Sequence, residues 1–310
     1  MSRPPILDLI GGTPLIELRQ VVSPDIARLL LKVEGANPTG SKKDRMALEV
    51  IEAARRDGRL RPGQAAVEYT GGSTGTSLAL VCSAYRHPLF IVTSDAFSRE
   101  KRDHMSALGA RVELIACPDG KITENLIKGM IARSKEIAES EGAFWTDQLN
   151  NEDATNGYRG LAREILDQTG GSIDAFVDCV GTAHGIVGVA DVLRAAHPDV
   201  EIVAVEPAES SFLSEGRTGG HRIEGIGLGF LPPAWKPGVA DSVVTVASDD
   251  AHAMARRLAV EEGVLAGAST GANVAAALEV ARRLGAGNTV VTVAVDSGIK
   301  YLSTEVYRTG

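Results

Sequence analysis

The chain alternates short apolar runs with longer amphipathic ones. Residues 29–33, 89–93, 111–115, 175–180, 201–205 and 289–295 are brief, largely apolar and mostly rich in β-branched side chains. Such runs predict strands buried on both faces. Residues 44–57, 99–108, 124–141, 156–169 and 249–262 carry helical patterns instead. Strand followed by helix, repeated along the chain, predicts an α/β architecture, doubly wound with mostly parallel sheets. A chain of 310 residues is long enough to divide its core between two domains or lobes.

In such sheets ligands collect in the loops beyond the carboxyl ends of the strands. Three candidate loops are rich in Gly, Ser and Thr. One runs over 68–76, follows apolar residues 65–67 and precedes a helix expected at Ser77. The second is Val180-Gly181-Thr182-Ala183-His184-Gly185, and the third covers 266–273 and also opens a helix. Glycine permits close backbone approach to a ligand, and the amides at a helix start face an anion. Three such loops in one α/β chain point to an anionic ligand, a phosphate or a carboxylate. Neither a GxxxxGK[ST] loop nor a GxGxxG fingerprint follows a strand.

Composition narrows the partners. Hydrophobic content of 44% and charged content of 23% are those of an ordinary globular protein. A net charge of -8 leaves no excess of Lys and Arg to neutralise nucleic-acid phosphates. No run is long and apolar enough to span a bilayer, and residues 1–9 lack the pattern of a signal peptide. Cys82, Cys117 and Cys179 lie far apart, without metal-ligand spacing to each other or to the scattered histidines. The expectation is a cytoplasmic protein with small-molecule partners, and without metal, membrane or nucleic acid.

Seven segments then carry a specific likeness, in order and at comparable spacing. They are Ile10-Gly11-Gly12-Thr13-Pro14-Leu15, Asn37-Pro38-Thr39-Gly40-Ser41-Lys42-Lys43-Asp44-Arg45, the Thr70 loop, Gly181-Thr182-Ala183-His184-Gly185, Glu224-Gly225-Ile226-Gly227-Leu228-Gly229-Phe230, residues 262–272, and Asp296-Ser297-Gly298 with Tyr301-Leu302-Ser303-Thr304. Respectively, the first six resemble IGNTPL, NPxxSxKxR, TSGNTG, GTGGT, QGIGAGF and EGILAGISSGA of the cysteine synthase and cystathionine β-synthase family of pyridoxal-phosphate (PLP) enzymes; the seventh resembles that family's C-terminal segment. The likeness runs almost end to end.

The resemblance implies a fold-type-II PLP enzyme. It assigns residues 1–34 with 150–310 to a larger cofactor-binding domain. Residues 35–149 form a smaller, mobile domain with the lysine and the carboxylate loop. Lys43 is the lysine that carries the cofactor covalently, and its neighbour Lys42 is expected to be solvated. Ser73, Gly181, Thr182, Ala183, His184, Gly185 and Ser297 are the remaining cofactor-binding residues, Ser297 serving as a neutral partner for the pyridine nitrogen. Thr70, Gly71, Gly72, Ser73, Thr74 and Gln148 are expected to grip the substrate carboxylate, with Glu224, Gly225 and Ile226 beside the reacting end. The implied reaction is ping-pong β-replacement on a serine-type amino acid. An O-acetylserine-like donor plus sulfide or a thiol would give cysteine or a relative. The alternatives are a serine-utilising enzyme of the cystathionine β-synthase type, a synthase of a non-protein amino acid, and a silent PLP-binding regulator. The family habit implies a homodimer.

Some positions depart from the family pattern. Ser73 stands for asparagine and Gly71 for serine. Ala183 and His184 replace two glycines, so the loop's amides are expected to bind phosphate only if the loop avoids left-handed backbone there. His184 is expected either to donate to phosphate or to point to solvent. Glu224 stands where cysteine synthases usually carry glutamine and cystathionine β-synthases glutamate.

Overall fold

The computed structural model describes residues 3–118 and 123–308. In chain order its elements are β1 (Leu15–Glu17), β2 (Arg28–Val33), α1 (Lys43–Arg56), β3 (Ala66–Tyr69), α2 (Ser73–Tyr85), β4 (Leu89–Ser94), α3 (Arg99–Ala107), β5 (Arg111–Ile115), α4 (Glu124–Glu141) and β6 (Phe144–Trp145). They continue with α5 (Asp153–Thr169), β7 (Ala175–Cys179), α6 (His184–Ala196), β8 (Glu201–Pro207), α7 (Phe212–Glu215), β9 (Ser242–Val246), α8 (Ser248–Glu261), α9 (Ala268–Leu284) and β10 (Thr289–Ala294). The chain divides into two compact units, one of Met1–Ile10 and Asn37–Gly157, the other of Gly11–Ala36 and Tyr158–Gly310.

Among the described residues the first unit holds a parallel sheet in the order β5-β4-β3-β6. Ala66 of β3 pairs with Leu89 and with Phe144. β3 is buried throughout, as a central strand should be, whereas Arg111 and Leu114 of the edge strand β5 are exposed. Leu7, Ile51, Leu60, Leu78, Ile91 and Met105 belong to one core. Leu7 explains why residues 3–10 fall in this unit, although 1–34 was expected to go with the C-terminal half. Helix α2 begins at Ser73, four residues before the Ser77 start expected. Gly72 adopts φ 156°, and its N–H donates to Thr70 Oγ1 (2.9 Å), so strand passes into helix through only the three residues 70–72.

In the second unit the order is β1-β2-β10-β7-β8-β9, parallel except for β1. The sequences of β7 and β10, AFVDC and TVVTVA, are wholly buried at the sheet centre. The Ile10–Leu15 motif proves to be a structural brace. Buried Lys32 donates to the Thr13 carbonyl (2.6 Å) and to Gln168 Oε1 (2.8 Å) and pairs with Glu164 (2.7 Å). Glu164 also accepts from the Gly12 N–H (2.9 Å), and Thr13 donates to Glu34 (2.6 Å). Among the described residues no helix is long and apolar enough to cross a membrane, and no group of three His, Cys, Asp or Glu could hold a metal ion.

Candidate active site

The residues singled out above fall into two sets, one in each unit. All lie in loops or helix starts, most of them at the carboxyl ends of parallel strands, where a doubly wound sheet presents its ligand sites.

In the first unit Lys43 is the first residue of α1 and is half-buried. The turn before it is tied down by its neighbour. The buried Asp44 carboxylate accepts from the Thr39 N–H (2.8 Å), from the Thr39 hydroxyl and from Ser77 of α2 (2.5 Å). The acid in the first helical turn thus reaches back to satisfy the loop, much as a capping box does, and fixes where the lysine leaves the helix. Lys42 is not solvated as expected but buried, at 4% exposure. A lysine stem can be sheathed in apolar neighbours in this way.

The Thr70–Thr74 loop heads α2. Gly71 is forced by Phe97, because a Cβ there would lie 2.6 Å from the ring. At Gly72 a Cβ would strike the stem of buried Lys101. The hydroxyl missing at Gly71 is therefore replaced by an aromatic wall from the loop after β4. Gln148, in the loop after β6, is buried and bonded at both ends of its amide. Its Nε2 donates to the Tyr69 carbonyl (2.7 Å), and its Oε1 accepts from Thr74 (2.8 Å). Thr74 and Gln148, two expected carboxylate ligands 74 residues apart, are in direct contact.

In the second unit, Gly181–Gly185 joins β7 to α6. Ala183 occupies the left-handed region at φ 66°, the conformation the loop was expected to avoid if its amides were to bind phosphate. It is the residue just before a helix that starts at once, a position where the chain must reverse direction sharply. His184 is buried at 2% exposure, which excludes its solvent-facing alternative. A Cβ on Gly181 would collide with the Gly225 carbonyl, and the Gly227 N–H donates to the Val180 carbonyl (3.1 Å). The 181–185 loop and the 224–227 segment are thus laced together by backbone. Glu224 is half-buried. The nearby Arg222 guanidinium binds Asp249 and Glu305.

Strand β10 ends at Ala294, two residues before Asp296. Asp296 accepts from the Tyr301 hydroxyl (2.8 Å), and both are buried. Burial, then the charges of Asp296 and Glu224, hold the Tyr301 hydroxyl well above its ordinary pKa, so it remains a donor. Ser297 is half-buried, with its Oγ accepting a long bond from the Ile299 N–H (3.3 Å). Its own proton stays available to a ring nitrogen.

These groups fit pyridoxal phosphate. The cofactor needs a primary amine, an anion cradle and a partner for its ring nitrogen. In the first unit Lys43 offers a primary amine. In the second, the first-turn amides of α6, which have no acceptors inside their helix, offer an anion cradle, and the Ser297 hydroxyl offers a neutral donor. Glu68 and Tyr301 lay inside segments singled out above but were given no role, and Phe97 and Lys101 gave no signal; all four shape these loops from behind. A further signal for Glu68 was its charge within an otherwise apolar strand.

Comparison with known proteins agrees. Residues 6–296 match the family described as "Pyridoxal-phosphate dependent enzyme". The chain is 42% identical over 309 residues to the cysteine synthase of Staphylococcus aureus (strain Mu50 / ATCC 700699), covering 97% of this chain and 96% of the relative. It superposes on O-ureido-L-serine synthase with a TM-score of 0.92 and 36% identity, covering 97% of this chain and 94% of that one. An O-acetylserine dependent cystathionine β-synthase from Helicobacter pylori gives a TM-score of 0.92 at 34% identity, covering 99% and 100%. With its fold, its lysine-headed helix and its near-full-length relatives, the chain belongs to the fold-type-II pyridoxal-phosphate dependent enzymes, in the cysteine synthase and cystathionine β-synthase family.

Proposed function

We propose that the protein exchanges the β-substituent of an O-acetylserine-like donor for sulfide or a thiol, giving cysteine or a related amino acid. The observation that carries this reading is a half-buried amine at Lys43, heading a braced helix in a chain so similar to a cysteine synthase. When bound, pyridoxal phosphate supplies the electron sink for charge developing at the substrate α-carbon. Lys43 removes the α-proton as general base and later returns it. The Thr70–Thr74 loop and Gln148 orient the donor by its carboxylate. The 181–185 amides would hold the phosphate, with its charge balanced by the start of α6. Ser297, a neutral donor, leaves the ring less electron-poor than a carboxylate partner would. That favours prompt loss of the β-substituent over transamination. Asp296 accepts from the Tyr301 hydroxyl through Oδ2.

A second reading, use of serine as donor in the manner of a cystathionine β-synthase, is favoured by Glu224, an acid that could protonate a departing hydroxide. A cytoplasmic homodimer fits both readings.

The test begins with Lys43→Ala, which should abolish both the visible absorption of the bound cofactor and the turnover of O-acetylserine with sulfide. Lys42→Ala should keep both, at some cost in stability because Lys42 is buried. Cofactor absorption unchanged in the Lys43 variant would overturn the assignment.

A further inference from the structure

We propose that Glu68 is a positioning residue for substrate recognition, a buried carboxyl that holds Gln148 in the orientation needed to receive the donor's carboxylate. This rests on the reading that Gln148 contacts that carboxylate.

Glu68 lies on β3 with no exposed surface. Its Oε2 accepts from the Thr146 hydroxyl (2.6 Å) and from the Gln148 N–H (2.8 Å), while Oε1 accepts from the Tyr69 N–H (2.9 Å). Thr146 and Gln148 flank Asp147, which has φ 45°, one of three non-glycine residues with positive φ among those described. A left-handed aspartate costs energy and persists only where its surroundings hold it. Here both of its neighbours donate to the same carboxyl oxygen. Strand pairing offers little alternative support, because β6 pairs with β3 only at Phe144 and Trp145, and the Thr146 N–H makes the last backbone bond to Val67 (3.1 Å). Beyond that point, the loop is tied to the sheet by Glu68, through Thr146 and the Gln148 N–H, and by the Gln148 side chain on the Tyr69 carbonyl.

The consequence reaches the Gln148 side chain. With its backbone held by Glu68, its Nε2 meets the Tyr69 carbonyl and its Oε1 meets Thr74. One amide N–H then remains for an incoming acceptor, and the Thr74 hydroxyl is turned by the same contact. Burial of the acid pushes its pKa up to about 8, against the pull of its three donors. An acid kept in so unfavourable a place, with no cation among its bonding partners here, is consistent with a positioning task rather than with stability.

The experiment compares holoenzyme variants by steady-state kinetics with O-acetylserine and sulfide. Gln148→Ala should raise KM for the donor by roughly tenfold, with kcat within about threefold, the mark of lost uniform binding. Glu68→Leu should do the same, since leucine offers no acceptor to Thr146 or Gln148. Glu68→Gln can place its carbonyl oxygen where Oε2 stands, and should restore KM to within about threefold of wild type. Should Glu68→Leu fail to yield holoenzyme, Thr146→Val removes one of the same bonds and should raise KM severalfold. The double variant Glu68→Leu/Gln148→Ala should be no worse than Gln148→Ala alone. If Gln148→Ala raises KM and Glu68→Leu or Thr146→Val does not, the positioning role is overturned while the reading of Gln148 stands. Additive effects in the double variant overturn it as well. An unchanged KM in Gln148→Ala sinks the reading of Gln148, and the proposal with it.

Discussion

Ala183 holds a backbone conformation that glycine adopts freely and alanine does not. The left-handed region costs an L-residue about 1–2 kcal/mol, while glycine gives back about 0.4–1 kcal/mol through the freedom of its unfolded chain. Ala183→Gly should therefore be stabilising by up to about 1 kcal/mol, with Tm raised by about 1 °C in the holoenzyme. A lower Tm would mean that the methyl group earns its place by packing, as its burial allows. Glu224 poses a question of charge. If it faces the reacting end, its carboxylate opposes a departing phosphoryl group. Two like charges some 5 Å apart at an effective dielectric of about 20 repel by roughly 3 kcal/mol. O-phosphoserine should then be the poorest donor among O-acetylserine, serine and O-phosphoserine, and Glu224→Gln should improve it relative to serine. Rates of donor consumption for all three, in both proteins, check this; a ranking unmoved by the substitution would remove Glu224 from the site.

At the scale of elements, the lysine-bearing helix depends on one close approach. A Cβ on Gly157 of α5 would sit 2.6 Å from the Arg45 carbonyl and 2.8 Å from the Met46 Cα, both on α1. These are backbone atoms and cannot swing aside. Gly157→Ala should cost about 1–3 kcal/mol despite alanine's better helix propensity, and should also weaken cofactor retention, because α1 begins at Lys43. Gly129 of α4 has open space around it. Gly129→Ala should instead stabilise by up to about 1 kcal/mol. Urea midpoints of the two variants distinguish packing from propensity. Elements of this length were mostly legible beforehand. The wholly buried strands β7 and β10 carry short, mostly apolar runs, and α4 has the bounds its pattern predicts. β1 and β6, three and two residues long, are too short to show a period, and β9 is half-exposed at a sheet edge. The α2 start was misplaced because Ser and Thr in a Gly-rich run read as loop, while in the structure Gly72 turns directly into the helix. Candidate site residues within motifs could be named from the family resemblance. Their supports could not, because the Glu68, Phe97 and Lys101 contacts are tertiary.

On the scale of the whole molecule, the chain leaves the first unit after Ile10 and returns to it at Asn37. The short N-terminal stretch is a structural part of a body made otherwise of 37–157. Leu7 is fully buried in that body's core, and Arg3 binds Glu52 of α1 through two bonds of 2.8 and 2.5 Å. A polypeptide of residues 37–157 made alone would carry an apolar slot shaped for one leucine. Burying that side chain is worth about 2–3 kcal/mol. A synthetic peptide of residues 3–10 supplied in trans should therefore seat in the slot and raise the thermal resistance of the fragment, and the same peptide with Leu7→Ala should not. The amino terminus would then behave as a detachable ligand of its own protein.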